Sequence, residues 1–370
     1  VYVPRETVRE ASLVKGIRII PLSHLLALAK HLRGDDPLPV FEVPEEKKLR
    51  AESPHDFRYI RGQEHAKRAL EIAAAGGHNV LFVGPPGSGK TLLARAIPSL
   101  LPELDFEERL EVTKIYSVAG RMQHTEDLIS EQPFRAPHHT ASAASLIGGG
   151  SFPRPGEISL AHRGVLFLDE FAEFSRSVLE NLREPLEEGV VTVSRVRGSL
   201  LFPARFLLIA AMNPCPCGYA GDPEHACSCS PYQVLQYKRK ISGPILDRID
   251  LHVDVPRVRL EKLQGSFDGA EPSAVARERV VAARERQRER MREWGKKTNA
   301  EMDRRLLEKF CSIESDVQVF LLQAAQNFKL SARGYGRVLK VARTIADLAG
   351  EEQVALPHVT EALSYRFRDE

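Results

Sequence analysis

The segment Gly84–Thr91, which reads Gly-Pro-Pro-Gly-Ser-Gly-Lys-Thr, constrains the fold of this chain more than any other feature. It has the spacing of a Walker A loop, follows the apolar run Val80–Val83 and precedes the helical sequence Leu92–Ile97. A strand, a glycine-rich loop and a helix in this order direct backbone N–H groups and a helix N-terminus at an anion. The pattern predicts a phosphate-binding loop made of Gly84, Pro85, Pro86, Gly87, Ser88, Gly89, Lys90 and Thr91.

ATP hydrolysis at this loop requires side chains that bind the phosphates and Mg²⁺ and a carboxylate that activates water. We expect Lys90 to reach the β- and γ-phosphates of ATP and the Thr91 hydroxyl to bind Mg²⁺. Asp169 and Glu170 end the apolar run Val165–Leu168, and we expect the first to bind Mg²⁺ and the second to deprotonate the attacking water. An acidic pair at the end of a strand could instead cap a helix. Together with the loop, however, it indicates ATP hydrolysis.

Apolar runs separated by helical patterns indicate the fold. Continuous apolar strands are typical of a parallel sheet that helices cover on both faces. After Pro256 the strand signals thin out, and residues 273–293 and 331–349 have helical periodicity. We predict an α/β P-loop NTPase core over residues 57–257, followed by an all-helical lid domain over residues 258–370. The predicted strands are Val80–Val83, Val165–Leu168, Phe206–Ala210 and Leu251–Val255.

Composition narrows the classes of protein to which the chain can belong. Of its 370 residues, 43% are hydrophobic and 28% are charged, an ordinary globular balance that excludes a fibrous or wholly disordered chain. The net charge of +2 gives no global attraction to a polyanion, so any contact with nucleic acid must come from a local basic patch. No apolar run approaches the roughly 18 residues of a membrane span. Residues 1–5 do not resemble a signal peptide, which predicts a cytoplasmic protein.

Several further segments, together with the phosphate-binding loop, carry a family resemblance over about residues 60–367. The chain resembles the magnesium-chelatase-like AAA+ ATPases, and most closely the ComM/YifB group, which is linked to bacterial transformation and branch migration. The segments that carry the resemblance are Arg61–Leu70, Pro133–Thr140, Gly148–Gly150, Arg154–Ile158, Gly243–Asp250 and Ser331–Tyr335.

The resemblance implies roles for four further residues. Asn213, just past the predicted strand at 206–210, corresponds to the sensor that positions the lytic water, and Gln63 belongs to the ATP-binding set. Arg248 corresponds to the arginine finger that reaches the γ-phosphate of a neighbouring subunit, and Arg333, at a helix start, to the second sensor. A permanently charged, planar guanidinium suits the spreading charge of a transferring phosphoryl group, although an arginine taken singly could equally form a surface ion pair.

The front of the chain departs from the family pattern. Full-length members of the ComM/YifB group carry an N-terminal domain that resembles the Lon protease. Residues 1–36 are expected to be only the tail of such a domain, followed by a charged, proline-bearing linker over residues 37–56. The first residue is Val1 rather than methionine, which favours a natural N-terminus further upstream. No peptidase function is predicted.

Four of the five cysteines lie close together, as Cys215-Pro216-Cys217 and Cys227-Ser228-Cys229. In a reducing compartment such a cluster indicates a metal site rather than a disulfide framework. Four thiolates form the ligand set of a closed structural Zn²⁺ site, and His225 or Asp222 could replace one of them. The alternative is a loop of reduced cysteines that binds nothing.

Three other polar segments receive more modest predictions. Residues 190–203 alternate in polarity and break at Arg197-Gly198, which predicts a β-hairpin. In related hexameric motors a hairpin at this position points into the pore, so Arg195 and Arg197 are candidate DNA contacts; the alternative is an ordinary edge hairpin. His138 and His139 are expected to make backbone hydrogen bonds rather than to bind a metal, and they receive no chemical role. The arginine-rich helix over 277–292 is expected to present a solvated face whose charges pair along the helix.

The motifs and the resemblance together predict a ring-forming ATPase, a hexamer, that couples hydrolysis at subunit interfaces to translocation on single-stranded or branched DNA. Branch migration or helicase action is the expected activity. The rival hypothesis is a metal-chelatase or protein-remodelling subunit whose client is a protein or tetrapyrrole complex. A nucleotide-gated scaffold without activity is disfavoured by Glu170, which nucleotide binding alone does not require.

Overall fold

The computed structural model of the chain describes residues 1–8, 11, 16–41, 54–122, 128–150, 153–195, 198–258 and 270–366. Its strands are β1 (Tyr2–Pro4), β2 (Ile20–Leu22), β3 (Val80–Val83), β4 (Phe134–Arg135), β5 (Gly148–Gly149), β6 (Arg154–Pro155), β7 (Val165–Leu168), β8 (Val190–Arg195), β9 (Gly198–Pro203), β10 (Leu207–Met212) and β11 (Leu251–Asp254). Its helices are α1 (Leu25–Arg33), α2 (Glu64–Gly76), α3 (Lys90–Leu100), α4 (Phe106–Val118), α5 (Ala143–Ile147), α6 (Glu157–Leu160), α7 (Arg176–Glu180), α8 (Arg183–Glu188), α9 (Pro231–Lys238), α10 (Gly243–Leu246), α11 (Ser273–Met291), α12 (Arg304–Phe310), α13 (Ser315–Asn327), α14 (Ala332–Ala349) and α15 (Leu356–Ser364).

The centre of the fold is a five-stranded sheet with the strand order β11-β3-β10-β7-β4. Every neighbouring pair in it is parallel. Four of these strands are the predicted apolar runs, so the predicted α/β fold with a parallel sheet is confirmed. The fifth, β4, was not predicted, because two residues are too few to show a period in the sequence. The strand β10 separates β3 from β7, and both therefore end beside it at the same edge of the sheet.

Alternate residues of the sheet enter two different apolar clusters. In β3, Val80 and Phe82 face a cluster formed with α2, α3, α11 and α14, whereas Leu81 faces a second cluster that includes Val191 and Val193 of the hairpin β8–β9. All six residues of β10 are buried. The strands read as continuous apolar runs because both faces of the sheet are covered.

The residues after 270 are helical, as predicted. In α14 the apolar side chains Val338, Leu339, Ala342, Ile345 and Ala346 are buried on one face. They belong to the same cluster as the buried residues of α2 and α3, so the helical domain and the sheet domain share one core. No helix in the described ranges is long and apolar enough to cross a membrane.

The arginine-rich helix α11 departs from its predicted solvated state. Its exposed residues include Glu285 and Glu289, but Arg284 donates from Nε and Nη2 to the Ala74 carbonyl of α2, at 2.9 and 2.7 Å. Arg290 donates to both carboxylate oxygens of Asp347 in α14, at 2.8 and 2.6 Å. The prediction is wrong for these two arginines, because α11 lies between α2 and α14 and its cations bind groups on both.

The front of the chain contains a small parallel pair, β1 and β2, followed by α1. Its assignment as the tail of an N-terminal domain stays a prediction. Most of the predicted linker, at 42–53, lies outside the described residues. The predicted boundary between the core and the helical domain, at 257 and 258, lies next to residues 259–269, which are also outside the described part of the chain.

The carboxylate of Asp347 is predicted to stabilise the helical domain strongly, because it lies 3.0 Å from Arg343 and 2.6 Å from Arg290 and its side chain is only 1% exposed. Asp347→Ala leaves the Arg343 guanidinium buried without a carboxylate and should lower the free energy of unfolding by about 3–5 kcal/mol. A matched control is Glu308→Ala, which removes an exposed i, i+4 pair with Arg304 of the same 3.0 Å length and should cost less than about 0.5 kcal/mol. Equal losses for the two variants in urea titrations would contradict this assignment.

Candidate active site

The predicted phosphate-binding loop joins β3 to α3. Lys90 is the first residue of α3 and is 9% exposed. Its Nζ donates hydrogen bonds to the carbonyl oxygens of Gly84 and Pro85, at 2.7 and 2.9 Å. Burial lowers the pKa of Lys90 and the nearby Asp169 carboxylate opposes this shift. The ammonium therefore lies inside the curl of the loop, where the motif predicts it.

Glycine is required at three positions of the loop. Gly87 and Gly89 have φ angles of +78° and +94°, in the left-handed region that side chains disfavour. At Gly84 a Cβ would lie 2.1 Å from the Val255 carbonyl oxygen, so any other residue would push the end of β3 away from β11. The loop keeps its narrow curl because these positions carry no side chain.

The predicted Mg²⁺ ligands meet across the sheet. The Thr91 hydroxyl donates to Oδ2 of Asp169 at 2.8 Å, and Oδ1 of Asp169 accepts a hydrogen bond from the Glu170 backbone N–H at 2.9 Å. Asp169 follows the last residue of β7 and Thr91 lies in the first turn of α3. A hydroxyl and a carboxylate are oxygen ligands of the type that Mg²⁺ prefers.

Glu170 stands beside the phosphate-binding loop in an unusual backbone conformation. Its φ angle is +53°, and its side chain is 56% exposed. Residues other than glycine adopt this left-handed backbone conformation at a cost of about 1–3 kcal/mol, and such residues are enriched at functional sites. The Glu170 carboxylate is therefore open to solvent at the carboxyl end of β7. A general base needs such a position to reach a water molecule.

His139 contacts Glu170, which the sequence analysis missed. Nδ1 of His139 lies 2.6 Å from Oε2 of Glu170, and the His139 ring lies against the rings of His138 and Phe174. The sequence predicted no chemical role for this histidine, and the structure places it beside the predicted base. His138, by contrast, accepts a backbone hydrogen bond from Thr140 at 3.4 Å, as predicted. The sequence offered no signal for this contact, because β4, the strand that precedes His139 and pairs with β7, is only two residues long.

Two further predicted residues adjoin the loop. Asn213 follows β10, and its Oδ1 accepts a hydrogen bond from Lys90 Nζ at 3.3 Å. The side chain of Gln63 donates to the carbonyl oxygens of Ser88 and Pro256, at 3.2 and 2.5 Å. Gln63 therefore links the phosphate-binding loop to the segment that follows β11.

The two predicted arginines do not approach this loop in the same chain. Arg248 is 3% exposed, and its carbonyl accepts a hydrogen bond from Asn79, at the amino end of β3. The loop begins at the carboxyl end of β3, roughly 16 Å away at about 3.3 Å per residue. Arg248 forms an ion pair with Glu187, and Arg333 lies 3.7 Å from the same carboxylate. The structure thus brings Arg248 and Arg333 together near the amino end of β3, whereas the phosphate-binding loop lies at its carboxyl end.

The other predicted segments form as elements. The hairpin pairs β8 with β9 in antiparallel register from Val190 and Pro203 to Arg195 and Gly198. Arg197 and the side chain of Arg195 lie outside the described part of the chain, so their assignment as DNA contacts stays a prediction. The four cysteines Cys215, Cys217, Cys227 and Cys229 converge, with sulfur atoms all within 4.8 Å of one another.

Comparisons with known proteins identify the family. A family model described as magnesium chelatase, subunit ChlI, matches residues 56–263, and a model of the C-terminal part of that subunit matches residues 270–366. The chain belongs to the magnesium-chelatase family. This AAA+-like ATPase family implies the use of a nucleotide and Mg²⁺.

Curated relatives narrow this assignment. The competence protein ComM of Haemophilus influenzae is 45% identical over 98% of this chain and 71% of its own length. YifB of Escherichia coli is 43% identical over 100% of this chain and 71% of its own length. The magnesium-chelatase 67 kDa subunit of Chlorobaculum parvum is 32% identical over 43% of this chain and 23% of its own length. The predicted ComM/YifB group is confirmed.

Substitution of Lys90 and of Glu170 should separate ATP binding from turnover in this AAA+ site. Lys90→Ala removes the cation inside the loop and should weaken ATP affinity by about 10-fold or more. Glu170→Gln should retain affinity and lower kcat by about 100-fold or more, because an amide cannot accept the water proton. Nucleotide-binding titrations and phosphate-release rates measure the two effects.

Glu173→Gln is the matched control for Glu170→Gln, because it makes the same change three residues away, on a side chain 43% exposed that pairs with Lys240. Its kcat should equal that of the wild type. Normal turnover by Glu170→Gln would show that another group is the base.

Proposed function

We propose that the chain is the subunit of an ATP-hydrolysing ring of six copies that translocates on single-stranded or branched DNA, as in branch migration or helicase action. One observation supports ATP hydrolysis. The phosphate-binding loop, the proposed Mg²⁺ ligands, the proposed base and the proposed sensor follow three different strands and converge at the carboxyl ends of those strands. The residues that converge are Lys90, Thr91, Asp169, Glu170 and Asn213.

The residues fit a bound nucleotide and its metal ion. Gly84, Gly87 and Gly89 keep side chains out of the loop, and Lys90 supplies a buried cation for the phosphates. Thr91 and Asp169 would hold Mg²⁺, and the ion, when bound, supplies positive charge that offsets the charge of the transferring phosphoryl group.

The chain's own side chains then divide the remaining work. Glu170 takes the proton of the attacking water, and Asn213 orients that water from the end of β10. His139, 2.6 Å from Glu170, holds the carboxylate in one orientation. Lys90 neutralises charge on the phosphate oxygens as the bond to the leaving group breaks.

Ring formation is supported by the positions of the two arginines. Arg248 and Arg333 lie at the edge of the sheet opposite to their own phosphate-binding loop, so a guanidinium can complete a site only in a neighbouring copy. Arg333 is 67% exposed and can meet a neighbour directly. The side chain of Arg248 is 4% exposed and paired with Glu187, so it must exchange this carboxylate for a phosphate when the neighbour docks.

Mixing two inactive variants tests this arrangement. Arg248→Ala subunits keep an intact loop and base, whereas Lys90→Ala subunits keep an intact arginine, so mixed rings contain interfaces with both. ATPase activity should therefore recover in mixtures. At equal amounts of the two variants, half of the loops and half of the arginines are intact, so about a quarter of the interfaces should be active if subunits mix at random. No recovery in rings shown by native mass spectrometry to contain both variants would contradict action between subunits.

Translocation on DNA is supported by the hairpin β8–β9 and by the kinship to ComM. A motor that moves along DNA must hold the phosphate backbone without reading bases, which calls for cations on a projecting element. Arg195 is the last residue of β8 and Arg197 directly precedes Gly198, the first residue of β9, so both are expected at the tip of the hairpin. A net charge of +2 is too small to attract DNA to the whole surface, so DNA binding needs a local basic element such as this hairpin.

The double variant Arg195→Ala with Arg197→Ala should leave basal ATPase unchanged, weaken binding to forked DNA and remove stimulation of ATPase by that DNA. Each lost phosphate contact should also reduce the slope of log affinity against log salt by about 0.7–0.9. The matched control is Lys30→Ala with Arg33→Ala, which removes the same charge from exposed positions of α1 and should change none of these quantities.

Two outcomes would redirect the proposal. If the hairpin variant keeps its affinity for DNA and the stimulation of its ATPase by DNA, the hairpin does not contact DNA. If the wild-type ring neither binds DNA nor responds to it, and a protein complex stimulates its ATPase instead, the client is a protein, as the rival hypothesis holds.

A further inference from the structure

The four-cysteine cluster has the dimensions of a site for a single tetrahedral ion. The Cys215 sulfur lies 3.3 Å from that of Cys217 and 3.7 Å from that of Cys227, and the Cys217 and Cys227 sulfurs are 3.5 Å apart. All four sulfurs, including that of Cys229, lie within 4.8 Å of one another. A Zn–S bond of about 2.3 Å places tetrahedral sulfurs roughly 3.8 Å apart.

Backbone groups around the cluster point to thiolate ligands. The N–H groups of Cys217 and Cys229 donate to the sulfurs of Cys229 and Cys227, each at 3.4 Å, and the N–H of Ala220 donates to Cys215 at 3.2 Å. Hydrogen bonds of this kind orient metal-bound sulfurs in closed sites. The cysteines are free, with no disulfide among them.

The ligand set is four cysteines, without the two substitutes that the sequence left open. Asp222 accepts backbone hydrogen bonds from Glu224 and His225 and lies 3.0 Å from Arg257. The His225 ring stacks on Tyr219 at 5.0 Å. Both side chains thus shape the loop that brings the two Cys-x-Cys segments together, and neither belongs to the group of candidate ligands.

This loop also contacts the nucleotide site on two sides. Cys215 lies two residues after Asn213, which bonds Lys90. Gly218 has a φ of +88°, and a Cβ there would lie 2.6 Å from the Pro86 ring of the phosphate-binding loop, so the bare backbone of Gly218 packs against that ring. Arg257, bound to Asp222, adjoins Pro256, whose carbonyl accepts the Gln63 side chain.

We propose that the four cysteines bind one structural Zn²⁺ and that the zinc-held loop positions Asn213 for catalysis. The second half rests on the ATPase function proposed above. Zinc fixes both ends of a loop whose first ligand is two residues from the sensor. Loss of the ion leaves the phosphate-holding groups of Lys90 and the loop backbone in place but frees Asn213 to move relative to the lytic water. Turnover depends on that geometry more steeply than ATP binding does.

Metal analysis tests the site itself. Protein purified under reducing conditions without chelator should contain about one equivalent of zinc per chain, and Cys227→Ser should contain much less. Cys227 is exposed, so this variant changes no core packing. Cys311→Ala is the control, because this fifth cysteine is buried outside the cluster, and its zinc content should equal that of the wild type. Wild-type protein that lacks zinc, or that holds iron in its place, would overturn the assignment.

Steady-state ATPase kinetics test the positioning role. In Cys227→Ser, kcat should fall by about 10- to 100-fold, the loss typical of a displaced catalytic group, while the KM for ATP changes little. Cys227→His, which restores a zinc ligand, should recover both zinc and kcat. A zinc-free Cys227→Ser with full kcat would overturn the positioning role. Zinc-loaded wild type without ATPase activity would instead overturn the proposed function and with it the positioning role, while the metal site would stand.

Discussion

The hydrogen bond of 2.8 Å between the Thr91 hydroxyl and the Asp169 carboxylate links the end of β7 to the helix that follows β3, although β3 and β7 are not neighbours. The strand β10 lies between β3 and β7, and at about 4.8 Å per strand step the two axes are roughly 10 Å apart. The bond can form because the phosphate-binding loop and the first turn of α3 carry Thr91 across β10 to Asp169. The same intervening strand ends at Asn213, which reaches Lys90. The site therefore depends on strand order as much as on its motifs.

Much of this arrangement could be predicted from the sequence. The loop at Gly84–Thr91, the acidic pair at Asp169 and the apolar strands are local signals, because glycine spacing and buried runs appear in consecutive residues. Other features are tertiary. The sequence of β4 is too short to show a strand, so the contact between His139 and Glu170 across neighbouring strands could not be found.

The helix α11 shows a second limit of sequence reasoning. Its arginines and glutamates alternate in a way that fits pairing along a solvated helix, and no pattern in the sequence distinguishes an arginine that binds water from one that binds a carbonyl of α2. Arg284 bonds Ala74, and Arg290 bonds Asp347. Likewise, the spacing of the cysteines indicated four candidate ligands, but only the fold shows that Asp222 pairs with Arg257 and leaves the cluster to sulfur.

The single apolar core that joins the sheet domain to the helical domain has a mechanical consequence. Residues of α2, α3, α11 and α14 interdigitate in one cluster, and close-packed interiors transmit strain rather than absorb it. Because this packing joins the two halves through described residues, they are expected to move together as one rigid body. In the proposed ring, the movement driven by ATP hydrolysis would then occur at the interfaces between neighbouring copies, where Glu187 and the two arginines are proposed to lie.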